Sequence, residues 1–153
     1  MKKTVQYTIL PELRLIIEYL SGEVTYTDLV EHRGLMSVDP GYNREFRIIF
    51  DARDALLKFT EKEVVKFVEF SQTATEMLAR RKAAILTKTP HQTMITTIYT
   101  MNMKDLPFMV EIFSTVEAAM RWVGIDPVKK DEIDTAIEKM RENAGLIVKK
   151  HFE

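Results

Sequence analysis

A chain of 153 residues, 46% hydrophobic and 29% charged, has the size of one domain and the apolar content to pack a core, which argues against disorder. Its 22 basic and 23 acidic residues leave a net charge of −1, so it lacks the cationic excess of a general nucleic-acid binder. With no cysteine, disulfides, thiolate metal sites and thiol nucleophiles are all excluded, and a reducing compartment fits.

Met1-Lys2-Lys3 is the kind of basic start a secretory signal has, but Gln6, Pro11 and Glu12 interrupt any apolar run behind it. No stretch is long enough to span a membrane, so a cytoplasmic location is expected. Tyr7 to Leu10 and Leu13 to Leu20 are β-rich runs separated by Pro11-Glu12, which predicts an antiparallel hairpin ended by Ser21-Gly22. Thr25 with Asp28 marks a helix start, Leu29, Val30 and Met36 supply its buried stripe, and Asp39-Pro40-Gly41 stops it. Phe46 to Phe50 is a buried strand ending at Asp51. Thr60 and Glu63 form a capping box under a Phe59–Val64 staple, and Val64, Phe67, Val68 and Leu78 continue one apolar face.

Arg80-Arg81-Lys82 reads as a solvated entry to a strand over Lys82 to Leu86. Thr89-Pro90 opens a helix to about Met103, with proline at the first helical position, where its missing N–H costs nothing. Phe108 to Phe113 is a strand. Ser114 and Glu117 suggest a second capping box, before a stripe of Val116, Ala119, Met120 and Val123 that ends at Gly124. Asp126-Pro127 starts a last helix with Ile133, Ile137, Met140 and Ala144 on one side, and Leu146-Ile147-Val148 reads equally as helix or strand. The order β-β-α-β-α-β-α-β-α-α implies a mostly parallel sheet covered by helices, its first strand antiparallel. The plausible boundary lies between Gly124 and Pro127, dividing an α/β domain (1–124) from a C-terminal helical extension (125–153) packed on it.

Five stretches carry a resemblance: Gly22-Glu23-Val24-Thr25, Phe46-Arg47-Ile48-Ile49-Phe50-Asp51-Ala52-Arg53, Arg81-Lys82-Ala83-Ala84-Ile85-Leu86, Val110-Glu111-Ile112-Phe113, and Glu117-Ala118-Ala119-Met120-Arg121-Trp122-Val123. With them, roughly residues 5 to 124 resemble the STAS/SEC14-like superfamily, in particular the stand-alone SpoIIAA-like bacterial proteins. The resemblance implies a STAS-type α/β fold with a five-stranded, mostly parallel sheet, and a regulatory role. Its anti-sigma antagonists carry a phosphorylatable serine in an Asp-Ser-(Ser/Thr)-Gly turn at a helix start. Here the matching stretch is Lys58-Phe59-Thr60-Glu61, which has neither the Asp-Ser pair nor the glycine. Thr60 therefore reads as a helix cap, with phosphorylation as the alternative. On the SEC14 side, the resemblance implies an apolar cavity for a lipid or other hydrophobic ligand, which some of the nine methionines would line.

Ligands of open α/β sheets collect where strands end and helices begin. Thr87, Lys88, Thr89 and His91 occupy one such place, and Asp51, Arg53 and Asp54 leave the neighbouring strand at a comparable end. A small anion fits between them; the alternative is that these are ordinary caps and surface charges. His32, beside Arg33, is assigned to a solvated helix face, and His151 lies in the tail. No catalytic residue, metal site or cofactor emerges, because nucleophile elbows, HExxH pairs, P-loops and Rossmann glycines are all missing.

The least ordinary stretch is Pro90 to Met103, which contains no Asp, Glu, Lys or Arg. Met94, Ile95, Ile98, Tyr99 and Met101 are expected on one side, and Thr93, Thr96, Thr97 and Thr100 on the other. Low charge with Met and aromatic residues characterises interface cores. A contact through Met94, Ile95, Thr97, Ile98, Tyr99 and Met101, with a second copy or another protein, is one expectation; cover by the C-terminal helix is the other. The sequence thus reads as a non-enzymatic, homo-oligomeric interaction module, alternatively a small-ligand or lipid-binding domain.

Overall fold

Strand β1 (Thr4–Leu10) meets a 3₁₀ turn at Pro11–Leu13, which reverses the chain into β2 (Leu15–Thr25). Arg14, at φ +50°, takes the left-handed conformation that completes the reversal. The two strands pair antiparallel, from Thr4 opposite Ser21 to Leu10 opposite Leu15. This computed structural model describes residues 2–73 and 79–145. Leu78, the run from Leu146 to Val148 and His151 lie outside the described residues.

The chain continues through α1 (Tyr26–Ser37), β3 (Arg47–Lys58), α2 (Glu61–Thr73), β4 (Arg81–Leu86), α3 (Pro90–Asn102), β5 (Phe108–Phe113), α4 (Val116–Val123) and α5 (Lys130–Asn143). The sheet order is β1-β2-β3-β4-β5, and every pair after the first is parallel.

Capping chemistry sets most of the helix starts. Thr25 and Asp28 bond reciprocally, as do Thr60 and Glu63, and Gly124 closes α4 at φ +82°. The capping box expected at Ser114 and Glu117 is displaced by one residue. Thr115 caps α4 instead, its hydroxyl accepting from the Ala118 N–H at 3.2 Å. A cap must immediately precede the first helical residue, which is Val116.

Two strands outrun their expected ends. β3 continues past Asp51 to Lys58, and β2 passes through Ser21-Gly22 to Thr25. Gly22 sits in β2 at φ +74°, and a Cβ there would stand 2.7 Å from the Lys3 Cα. The glycine serves close backbone approach rather than termination. Gly22→Ala is therefore expected to lower the unfolding free energy by about 2–3 kcal/mol, read from urea denaturation midpoints.

The strand order dictates the layers. Three successive right-handed crossovers, each stepping one strand in the same direction, place α1, α2 and α3 on one face of the sheet. Their buried residues, among them Leu29, Met36, Val64, Phe67, Val68 and Ile95, pack on Ile16, Leu20, Ile48 and Ala83. The opposite face carries Leu15, Ile17, Tyr19, Ile49, Ala84 and Leu86, and only the chain after β5 remains to cover it. Val116, Ala119, Met120 and Val123 of α4, with Ile133, Ile137 and Met140 of α5, do so. The C-terminal helix therefore cannot cover α3, because the sheet lies between them.

Candidate functional site

A β-bulge shapes the strand-end cluster. In β3 the register slips between Ala52 and Asp54, so that Tyr19 is opposite Asp51 and Ser21 is opposite Asp54. An extra residue reverses side-chain parity. Before it, Ile48 and Ala52 face α1 to α3; after it, Ala55 and Leu57 do. Asp51 and Asp54 consequently end near one another beside α5.

The cations collected there are each engaged. Arg53 grips Asp51 with two parallel bonds of 2.9 Å, and this pairing raises the guanidinium pKa. Asp54 accepts from the Tyr19 hydroxyl at 2.5 Å and from Arg141 Nε at 2.9 Å, with Lys88 Nζ 3.9 Å away. Burial, then Asp54, pushes the Tyr19 hydroxyl pKa upward, so it remains a donor. Asp134 and Glu138 complete the cleft walls. With Asp51 beneath, four carboxylates meet three cations, so the charges gathered at this strand end are largely paired with one another.

The helix start beside them is equally engaged. Gln92, buried at 3% exposure, accepts from the Lys88 and Thr89 N–H groups at 2.6 and 3.0 Å. Its Nε2 donates to the Arg53 and Ala55 carbonyls at 3.0 and 2.8 Å. Thr89 caps Gln92 N, Thr87 bonds Thr93, and His91 Nε2 donates to the Leu57 carbonyl at 2.9 Å. The sequence signal for Gln92 is its place as the fourth residue of a Thr-x-x-Gln box, which the stronger Pro90 signal masks. At Thr60 the Glu63 carboxylate occupies the cap, so a phosphate added there would displace it against like charge.

The second cluster is built from residues that sequence reading places on the surface. His32 and Arg33 are each only 5% exposed, not solvated, and Arg81 is 3% exposed. His32 and Arg33 turn inward to Glu18, which is fully buried at the centre of β2 and directed at the α1 side. His32 Nε2 lies 2.8 Å from Glu18 Oε1, and Arg33 Nη2 lies 3.8 Å from Oε2. Burial alone would push the Glu18 carboxyl upward. Arg33, then the His32 bond and the charges of His32 and Arg81, outweigh it and hold the pKa at about 2. Arg81 bonds the Phe46 carbonyl and the Tyr42 hydroxyl and lies between the Tyr42 and Phe108 rings.

Beside Glu18 is a cavity of about 60 Å³, lined by residues of the sheet and of α1, α2 and α3. Leu29, Phe67, Ile95 and Phe108 give it almost wholly apolar walls, with Glu18 and Arg33 as the charged lining.

On α3 the expected faces are mixed. Ile95 is buried, with Thr96 beside it, and so belongs to the core rather than to a contact surface. Ile98 and Tyr99 are half-buried, whereas Thr97 is exposed and Met94 and Met101 are 52% and 69% exposed. Exposed positions 94, 97 and 101 recur at helical spacing and form one outward stripe.

This architecture is that of the SpoIIAA-like fold. The chain is similar to an uncharacterised protein of the DUF3478 family with a SpoIIAA-like fold from Shewanella loihica PV-4, at 11% identity and a TM-score of 0.54. The match covers 80% of this chain and 94% of the other, and at that identity it establishes the fold alone. No protein-family model and no curated protein matches the chain. Among the described residues, no helix is long and apolar enough to cross a membrane.

Proposed function

We propose that the protein is a non-enzymatic, cytoplasmic interaction module that pairs with a second copy through α3, in the regulatory manner its STAS-like resemblance implies. The observation that carries this is the outward stripe of Met94, Thr97 and Met101 on a helix without a single charge. A surface helix ordinarily turns charges to water. In a two-fold contact, residues near the axis meet their own copies, so a charge there would face like charge; an uncharged stripe avoids this. Methionine adapts its shape to whatever it packs against. The paired Asp51, Arg53 and Asp54 support a non-catalytic reading, since each is neutralised by a neighbour rather than presented to a substrate.

Sedimentation velocity tests the pairing. The wild-type chain is expected to sediment as a dimer, with Met94→Glu or Met101→Glu weakening association at least about tenfold, a typical effect of placing a like-charge pair in an interface. A wild-type monomer at high concentration sinks the proposal.

The apolar cavity favours a second reading, a ligand-binding domain of SEC14-like type. Its size limits that reading. A cavity of about 60 Å³ is far below the roughly 300–1,000 Å³ of pockets that enclose drug-sized molecules. That volume supports a small ligand better than a lipid chain.

A further inference from the structure

Glu18 uses one carboxylate oxygen and leaves the other without a hydrogen bond. Oε1 meets His32, whereas Oε2 is fully buried and has no hydrogen-bond partner. The Arg33 Nη2 contact at 3.8 Å is too long to be one. A buried acceptor without a donor is costly, and such atoms are uncommon in folded proteins. This one belongs to a side chain that lines the cavity.

We propose that the cavity binds a small neutral molecule, which brings one hydroxyl or N–H to Glu18 Oε2 and rests a short apolar body against Leu29, Phe67 and Ile95.

The site dictates each property of that ligand. An ionised carboxylate only accepts hydrogen bonds, so the ligand must supply the donor. Arg33 already faces the carboxylate. A cationic ligand would crowd Arg33, an anionic one would meet Glu18, and a neutral one does neither. The volume of about 60 Å³ is a few times the ~10–15 Å³ that one water molecule requires, which limits the ligand to a few heavy atoms. Water by itself can meet Glu18 and Arg33 but leaves the apolar walls at Leu29, Phe67 and Ile95 without contacts that a short apolar body would make.

Ethanol and acetonitrile, each of three heavy atoms, are suitable probes because only ethanol donates. They are titrated into methyl-labelled protein and followed by NMR. Ethanol is expected to shift the Leu29 and Ile95 methyls along a saturable curve in about the millimolar range, the ceiling for so small a ligand. Acetonitrile is expected to bind at least about tenfold more weakly, since it cannot satisfy the carboxylate. Ala83→Val adds carbon to the cavity wall without touching Glu18 and is expected to abolish the saturable shifts in a folded protein. Glu18→Gln is expected to shrink the preference for ethanol. Equal affinity for the two probes, unchanged binding in Ala83→Val, or no saturable shift with ethanol overturns the proposal; the last means that water alone fills the space.

Discussion

Glu18→Leu is expected to lower the unfolding free energy by about 3–5 kcal/mol, because it strands His32 and Arg33 in the core without their carboxylate. An apolar side chain would suit most positions in the middle of a sheet. Here it removes the partner of two buried groups, and the penalty is mostly theirs. The same carboxylate makes the fold acid-sensitive in a defined window. Its pKa falls from 4.5 in the unfolded chain to about 2 in the folded one. The folded state therefore binds this proton less readily, and the stabilisation is complete above the unfolded value. It declines as the pH falls below 4.5 and is gone below about 2. A shift of that size corresponds to about 3 kcal/mol. Urea midpoints measured from pH 7 to pH 2 should fall more steeply for the wild type than for Glu18→Gln. Asp28 and Asp39, whose pKa values are also lowered, titrate in both proteins and cancel in the comparison. Parallel curves would show that Glu18 is not the sensitive group.

A chain ending at Gly124 is expected not to reach the native fold. The 125–153 extension looks detachable in sequence, but its helix forms half of one layer. Ile133, Ile137 and Met140 are buried against Ile17, Tyr19 and Ile49. At about 1.5–3 kcal/mol per buried side chain, losing the three removes about 5–9 kcal/mol. That is comparable with the whole stability of a domain, about 5–15 kcal/mol. Further ties would go with them: Arg141 to Asp54, and the Gln6 side chain to the Met140 carbonyl. The near-ultraviolet circular dichroism of residues 1–124 reports the outcome through Trp122. A native-like spectrum with cooperative unfolding would establish the boundary near Gly124 as a true domain limit.

The helix starts were legible because capping is local: Thr25 with Asp28 and Thr60 with Glu63 lie within four residues of each other. The strand ends were less so. Gly22 resembles a terminator until Lys2 and Lys3 are seen crossing it, and that approach comes from a pairing about 20 residues away in the chain. The strand-end residues were foreseen as neighbours, and Arg53 does meet Asp51. Tyr19 and Arg141, which complete the cluster on Asp54, come from opposite ends of the chain and left no local signal. Glu18 interrupts an apolar run by a single letter, and nothing in the periodicity of α1 indicates that His32 and Arg33 turn inward to meet it.

Local chemistry settled the succession of strands and helices, their caps, the antiparallel first pair and the uncharged character of α3. Tertiary structure alone decided which face each helix covers, because this depends on strand order and on the handedness of successive crossovers. Those two facts put α5 on the far side of the sheet from α3, leave Met94 and Met101 turned to solvent, and close His32 and Arg33 over a carboxylate in the core.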